Sequence, residues 1–290
     1  MSTPESPRTG RLPLLAKTGV GLIALLAAST ASAQPTPLTQ PDAPSAAAAL
    51  PWSQASAGAT TGQPVVIHVI VALCSNEYIY CGGRAKGDPT DLDGNLYWGA
   101  LFGARRLFDS PHSPWTKVSS TQSSGQILEH IVYKRSGGPF GDTYVSLEAW
   151  NGNNTDQAIE RFWNLATGGG QVSFQGRSER IHAVGYAGYN RLMDDVELPG
   201  PASGQAIPSF VLAKNSERTF RNKLREAGSF PLITTKGSFA PEGYTITAAA
   251  RALADNYSAR AIRVRMIEEY KRYQKTSERE AAFTFAWPHR

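Results

Sequence analysis

The sequence predicts an α/β fold, in which a mainly parallel β-sheet is flanked by helices. Strand-like and helix-like segments alternate from residue 64 onward, which is the pattern of α/β domains. Segment 64–73 is a nearly unbroken run of β-branched and apolar residues, typical of a strand that is covered on both faces. No internal repeat is present, and 63–290 has the length of a single domain.

The later strands are predicted from alternating polar and apolar residues or from short apolar runs. Segments 127–134 and 143–150 alternate and are separated by the turn-forming residues 137–141, so we expect them to form a hairpin. The full set of predicted strands is 64–73, 127–134, 143–150, 180–187, 209–213 and 231–235.

The helices are predicted from apolar spacing and from residues that favour helix starts. Segment 155–166 carries apolar residues at helical spacing. Ser216 is a candidate N-cap, and Pro241 suits the first position of a helix. The predicted helices are 96–108, 155–166, 216–227, one that begins at Pro241, and 258–274.

Residues 1–33 have the features of a cleavable secretory signal peptide. A basic start precedes the apolar run 19–28, and Ala31 and Ala33 fit the small-x-small rule for cleavage after residue 33. The apolar run is shorter than the roughly 18 residues that a membrane span requires. We therefore expect a periplasmic or secreted protein that has no stable membrane span after cleavage.

Residues 34–62 are expected to form a disordered tether ahead of the single domain 63–290. The segment is rich in Pro, Ala and Ser and cannot bury enough apolar surface to offset the entropy lost on ordering. The 29 basic and 24 acidic residues of the whole chain fall to 26 and 23 once 1–33 is removed, so the net charge falls from +5 to +3. Without a clustered basic stripe, this charge argues against a nucleic-acid partner.

Two cysteines, Cys74 and Cys81, remain in the exported chain. A close and even pair in an oxidising compartment is a candidate disulfide. The alternative is that Cys74 is a free thiol in a functional site. The sequence favours the disulfide slightly, because export places both residues outside the reducing cytoplasm.

The candidate functional residues follow the ends of the predicted strands. In open α/β sheets, ligands bind beyond the carboxyl ends of the strands, so the polar loops at these ends are the place to look. For an enzyme, the first catalytic candidates there are Glu77, Tyr189, Asp194 and Lys214. For a binding protein, the first candidates are Asn76, Asn190, Arg191 and Asn215.

Several sequence blocks resemble an uncharacterised family of exported bacterial proteins. The blocks include Val-Ala-Leu-Cys-Ser-Asn at 71–76, Asn-Leu-Tyr-Trp-Gly-Ala at 95–100 and Gly-Tyr-Asn-Arg-Leu-Met-Asp at 188–194. The resemblance covers about 65–275. That family is similar to caspase-like cysteine hydrolases, in which a Gly-His pair ends the fourth strand and a cysteine ends the fifth. The resemblance implies a caspase-like topology and a histidine-assisted thiolate.

This chain departs from the family pattern at the positions that carry the chemistry. The resemblance aligns Tyr189 with the histidine, Lys214 with the cysteine, and Arg191 with a glycine. A tyrosine with an ordinary pKa near 10 is a poor base at neutral pH, and a lysine needs a strongly lowered pKa to act as a nucleophile. The resemblance therefore implies a catalytically degenerate member.

Other catalytic and metal motifs are not found. The loop with Asp88, Asp91 and Asp93 is rich in carboxylates, but the twelfth position counted from Asp91 is Phe102, where an EF-hand needs glutamate. We find no P-loop, no Gly-x-Ser-x-Gly elbow and no His-Glu-x-x-His motif. The sequence thus predicts neither a metal site nor a cofactor.

Three hypotheses of function remain open from the sequence. The first is an exported, degenerate caspase-like domain that acts by binding an unknown ligand or protein partner. The second is an active hydrolase or transferase that uses Lys214, Tyr189 and the acidic residues at the strand ends. The third is a structural or interaction protein associated with the envelope.

Overall fold

A central β-sheet and a small separate hairpin organise the part of the chain that the computed structural model describes, residues 50–56 and 58–288. The predicted signal peptide and 34–49 lie outside the described residues. The strands, in chain order, are β1 (Val65–Ala72), β2 (Thr116–Gln122), β3 (Ile127–Ser136), β4 (Asp142–Trp150), β5 (Gln171–Phe174), β6 (Arg177–Arg180), β7 (Ala183–Ala187), β8 (Ser209–Leu212) and β9 (Pro231–Thr234).

The central sheet has seven strands within the described residues, in the order β2-β3-β4-β1-β7-β8-β9. Strands β4, β1, β7, β8 and β9 run parallel, while β2 and β3 extend the sheet as an antiparallel pair beside β4. The predicted hairpin of β3 and β4 is confirmed, and so is the mainly parallel α/β architecture. The second small sheet pairs β5 with β6.

Strand β1 lies between β4 and β7, and all of its residues are buried. Its alternate side chains enter two separate apolar cores, one on each face of the sheet. The uninterrupted β-branched sequence is explained by this double covering. Gly185 in β7 has no side chain because a Cβ there would lie 2.2 Å from the Phe210 ring.

Helices cover both faces of the sheet and form a three-layer arrangement. The helices are α1 (Ala104–Phe108), α2 (Thr155–Gly168), α3 (Ser216–Thr219), α4 (Arg221–Glu226), α5 (Gly243–Ala254), α6 (Ala259–Gln274) and α7 (Glu278–Thr284). The apolar residues of α2 and α4 pack into one core, and those of α1, α5, α6 and α7 pack into the other.

Two predicted helices are shorter than expected or broken. Segment 96–108 is helical only in α1, because the Asn95 side chain accepts from the backbone N–H groups of Tyr97 and Cys74 and holds a series of turns. Segment 216–227 divides into α3 and α4 at Phe220, which has φ −104° and is fully buried.

Two further boundaries differ from the prediction. Segment 180–187 is not one strand, because β6 ends at residue 180 and the backbone N–H of Ile181 turns to the Gly170 carbonyl. Helix α5 begins at Gly243 and not at Pro241. Its first residue packs closely on the backbone of Gly103, from which a Cβ at Gly243 would lie only 2.5 Å away.

The described end of the expected tether packs on the domain. Trp52 lies in a short 3₁₀ turn, is 1 % exposed, and donates its indole N–H to the Leu253 carbonyl at 2.6 Å. The Ser56 hydroxyl donates to the His182 carbonyl at 2.8 Å. Part of 50–62 therefore packs against the domain, although the composition of 34–62 predicts a tether.

Candidate functional site

The candidate site is the edge of the sheet where the parallel strands end. Because β7 and β8 are adjacent and parallel, the loops that follow them lie side by side. Asn190 Nδ2 donates to the Lys214 carbonyl at 2.6 Å, and the Asn215 N–H donates to the Gly237 carbonyl at 3.1 Å. These bonds join the loops after β7, β8 and β9 into one continuous surface.

Asn190 has a structural role at this edge. It is fully buried, and its Nδ2 also donates to the Thr219 hydroxyl at 2.9 Å. Its Oδ1 has no hydrogen-bond donor among the described residues. Asn215, with φ +55°, adopts the left-handed conformation that allows the chain to turn into α3. The two asparagines hold the loops together; Asn190 lies behind the exposed surface, while Asn215 is half-buried at it.

Tyr189 is half-buried, and its ring stacks on Tyr78. The ring centroids are 5.7 Å apart and the planes differ by 8°. Its hydroxyl donates to Asp194 Oδ1 at 3.3 Å. Burial raises the pKa of Tyr189, and the charge of Asp194 raises it further. The phenolate, which is the form that could act as a base, is therefore scarcer at neutral pH than in an ordinary tyrosine.

Arg191 is the centre of an ion-pair network beside this aromatic pair. Its Nε donates to Asp156 Oδ1 and its Nη1 to Asp194 Oδ2, both at 2.8 Å. The guanidinium also lies 4.7 Å from the centroid of the Tyr78 ring. The hydrogen bond to Asp156 raises the pKa of Arg191 above its usual value. Two carboxylates thus neutralise this cation before any ligand arrives.

Lys214 and Glu77 have different surroundings from Arg191. Lys214 is half-buried, and its ammonium has no hydrogen bond or ion pair with any residue that the structure describes. Glu77 is exposed and its carboxylate is equally unpartnered within the described chain. No hydrogen bond joins Lys214 to Tyr189 in that part of the chain. The contact between Lys214 and Tyr189 that the active-hydrolase hypothesis predicts is thus not seen among the described residues.

The loop after β1 is closed by a disulfide between Cys74 and Cys81, whose Cα atoms are 6.2 Å apart. Asn76 supports this loop, since its Oδ1 accepts from the Cys81 N–H and its Nδ2 donates to the Gly83 carbonyl, both at 3.0 Å. Neither sulfur is therefore available as a thiolate.

The carboxylates of the Asp-rich loop are used for local structure. Asp91 Oδ1 accepts from the N–H groups of Asp93 and Gly94 at 2.9 Å, and Asp88 Oδ1 accepts from Thr90. Asp93 pairs with Arg105. Within the described residues, no group of three or more His, Cys, Asp or Glu side chains is placed to hold a metal ion.

Sequence reasoning missed a buried polar cluster between the sheet and α2. His68 Nδ1 lies 2.9 Å from Ser146 Oγ, and His68 Nε2 lies 3.2 Å from Glu148 Oε1. His130 Nε2 reaches the same hydroxyl at 2.7 Å. The order Ser-His-Glu is that of a hydrolytic triad, but Ser146 and His68 are fully buried in the middle of the sheet, where no substrate reaches them. Glu148 also lies 3.5 Å from Arg161 Nη2, and through this ion pair the cluster connects the sheet to α2.

A cavity of about 760 Å³ lies beyond the end of β9. Lys236, which follows β9, lines it together with the exposed ring of Phe283 and with Trp287. Lys236 Nζ is 3.6 Å from Glu217, and Arg263 stacks on Trp287 at 4.1 Å. The carboxyl edge thus continues into an aromatic, cationic hollow that the sequence did not indicate.

Tyr78 and Asp156 are the two members of the network that the sequence analysis missed. Tyr78 lies two residues after Asn76, and Asp156 follows the end of β4 at the start of α2. Both belong to strand-end segments, so the rule that selected Tyr189 and Arg191 covers them as well. Their pairing with residues of another loop depends on the strand order, which the sequence did not specify.

Comparison with known proteins gives no match: neither a family model, nor a curated protein, nor a solved structure is similar to this chain. The resemblance to caspase-like hydrolases therefore stays an expectation. Each helix within 50–56 and 58–288 is too short or too polar to cross a bilayer.

Proposed function

We propose that this is an exported binding protein, a catalytically degenerate relative of caspase-like hydrolases, and that it takes an acidic peptide at the carboxyl edge of its sheet. The observation that carries the proposal is that Tyr189 and Lys214 lie at one surface but are not bonded to each other. Adjacent loops bring these residues to one surface, yet the hydroxyl is bonded to Asp194 and the ammonium is not paired with it. A surface that is ordered but lacks an activated nucleophile suits binding.

The unpaired ammonium of Lys214, rather than the net charge of this edge, supports an acidic ligand. Arg191 already contacts two carboxylates, and Lys236 lies near Glu217. Lys214 is half-buried without an acidic partner among the described residues, so a ligand carboxylate placed there would meet an ammonium that has lost part of its hydration. Such a contact contributes more than an ion pair in open water.

The aromatic residues support a peptide-like ligand. Tyr78 and Tyr189 present a rigid stacked pair that is only partly exposed. Tyrosine rings contribute large contact areas at a low cost in conformational entropy, which is why they are frequent in protein-binding surfaces. The Arg191 network holds the pair in position, since the guanidinium lies over Tyr78.

A thermal-shift screen tests the proposal with three matched hexapeptides, in which Glu, Gln or Lys alternates with Ala. We expect the Glu peptide alone to raise the Tm. At ten times its Kd a ligand stabilises a protein by about 1.4 kcal/mol, or about 3–5 °C for a domain of this size. In Lys214→Ala the rise should be mostly lost. Lys223→Ala, which removes an exposed lysine from α4, is the matched control and should keep it.

Equal responses to the three peptides, or an undiminished rise in Lys214→Ala, would contradict the proposal. The active-hydrolase hypothesis makes a separate prediction, namely cleavage of a bound peptide that requires Lys214. The structural-protein hypothesis predicts no response to any small ligand at this edge.

A further inference from the structure

A second cavity lies away from the strand ends, between the loop after α1 and the outer surfaces of α5 and α6. It has a volume of about 190 Å³ and is lined mainly by polar side chains. The loop supplies one wall, α5 supplies Arg251, and α6 supplies Arg272 and Tyr273. The lining residues with side-chain hydrogen-bond donors are Ser110, His112, Ser113, Trp115, Thr247, Arg251, Arg272 and Tyr273.

Trp115 provides an observation that points to a ligand. Its ring lines the cavity and is 5 % exposed, and its buried Nε1–H has no acceptor among the described residues. An unpaired buried N–H costs about 1–3 kcal/mol, so buried donors are normally satisfied. The nitrogen is closed to solvent in this structure, so an acceptor in the cavity would satisfy it only after a small shift of the loop.

The serine hydroxyls beside it also retain donor capacity. Ser110 Oγ accepts from the His112 N–H at 3.4 Å, and Ser113 Oγ accepts from the Trp115 N–H at 3.3 Å. Neither hydroxyl hydrogen is donated to another described residue. Both backbone bonds hold the loop whose serine, histidine and tryptophan residues line the cavity.

The charge of the lining is positive. Arg251 is exposed and has no acidic partner within the described chain. Glu269 is the one acid among the lining residues that the structure describes, and both Arg272 Nη1, at 3.6 Å, and Arg265 Nη2, at 3.8 Å, lie close to it. The cavity therefore has one unpaired guanidinium, that of Arg251, and a second, that of Arg272, which it shares with Glu269.

We propose that this cavity is a second binding site, for a phosphate group, free or as a monoester. The site offers donors from several directions, and a carboxylate has too few oxygens to use them. A phosphate monoester has three acceptor oxygens and a charge near −2, which suits two guanidinium groups, an indole N–H and two hydroxyls. The site is independent of the peptide-binding proposal, since none of its lining residues follows a parallel strand.

The test is a thermal-shift titration of the protein with inorganic phosphate and with glycerol 3-phosphate, at ionic strength held constant with sodium chloride. We expect a saturable rise in Tm with at least one of the two compounds. If glycerol 3-phosphate binds more tightly, the occupant is an ester; if inorganic phosphate binds equally or better, the occupant is the free anion.

Three variants locate the binding. Arg251→Gln should weaken it about tenfold. Trp115→Phe removes the N–H together with part of the indole ring and leaves an aromatic ring in place, so it should weaken binding about threefold to fivefold. Arg260→Gln, an exposed arginine on α6 outside the cavity, is the matched control and should leave binding unchanged. A rise in Tm that is not saturable, or that Arg251→Gln and Arg260→Gln reduce equally, would overturn the proposal.

Discussion

Glu148 holds the polar cluster under α2 together, and its neutralisation should destabilise the protein at neutral pH. The carboxylate lies 3.2 Å from His68 Nε2 and 3.5 Å from Arg161 Nη2, and it accepts from the Trp150 indole N–H at 2.9 Å. Burial opposes its ionisation, but the hydrogen bond and charge of His68, with the charge of Arg161, outweigh burial and lower the pKa of Glu148 to about 2.

The size of the effect follows from this pKa. A carboxyl group that titrates near 4.5 when unfolded and near 2 when folded contributes on the order of 3 kcal/mol to the free energy of unfolding at pH 7. Because the folded pKa is lowered, this contribution is complete above about pH 4.5 and disappears as the pH falls toward 2. At pH 3 it should be on the order of 1.5 kcal/mol.

Urea unfolding of Glu148→Gln, followed by circular dichroism at pH 7 and pH 3, measures both values. We expect a loss of about 3 kcal/mol at pH 7 and of about half that at pH 3. Glu160→Gln, an exposed carboxylate on the same helix as Arg161, is the control and should change stability by less than about 0.5 kcal/mol. Equal losses for the two variants, or a loss in Glu148→Gln that does not depend on pH, would refute the reasoning.

Three other outcomes are expected for stability. Trp52→Ala should lower the free energy of unfolding, measured by urea titration, by about 3–5 kcal/mol, because a buried ring and its hydrogen bond to the Leu253 carbonyl are lost. A decrease of less than about 1 kcal/mol would show that 50–62 does not belong to the domain. Reduction of the Cys74–Cys81 disulfide should lower stability by roughly 2–3 kcal/mol, and an unchanged Tm with dithiothreitol would contradict this. Burial lowers the pKa of His130 and of His182, so protonation of either imidazole destabilises the folded state. The Tm should therefore fall as the pH drops below about 6.5, and it should fall less in His130→Gln. An equal fall in that variant would show that His130 does not contribute to the pH dependence.

Much of the fold was accessible from the sequence because local pattern and tertiary environment agree. The apolar run of β1 is buried on both faces, and the spacing in 155–166 matches the buried stripe of α2. Strand β2 was missed because Thr116–Gln122 is polar and largely exposed at the sheet edge. Helix 96–108 was overestimated because one buried side chain, Asn95, competes for the backbone donors.

The candidate site could be predicted in position but not in its bonding. The strand-end rule selected Tyr189, Arg191 and Lys214, and the parallel pairing of β7 and β8 places their loops together. That Arg191 would pair with Asp156 depends on the order β4-β1-β7, which no local pattern encodes. The cluster of His68, Ser146 and Glu148 likewise depends on the register of β1 against β4.

Intact-mass spectrometry of the protein incubated with the Glu–Ala hexapeptide tests the central claim most directly, since one sample reports both peptide cleavage and covalent adducts. Binding without catalysis predicts that the peptide stays whole and that the protein mass is unchanged, while the same mixture shows the raised Tm. Cleaved peptide, or a protein adduct that is absent in Lys214→Ala, would contradict the claim and would identify the carboxyl edge as an active site.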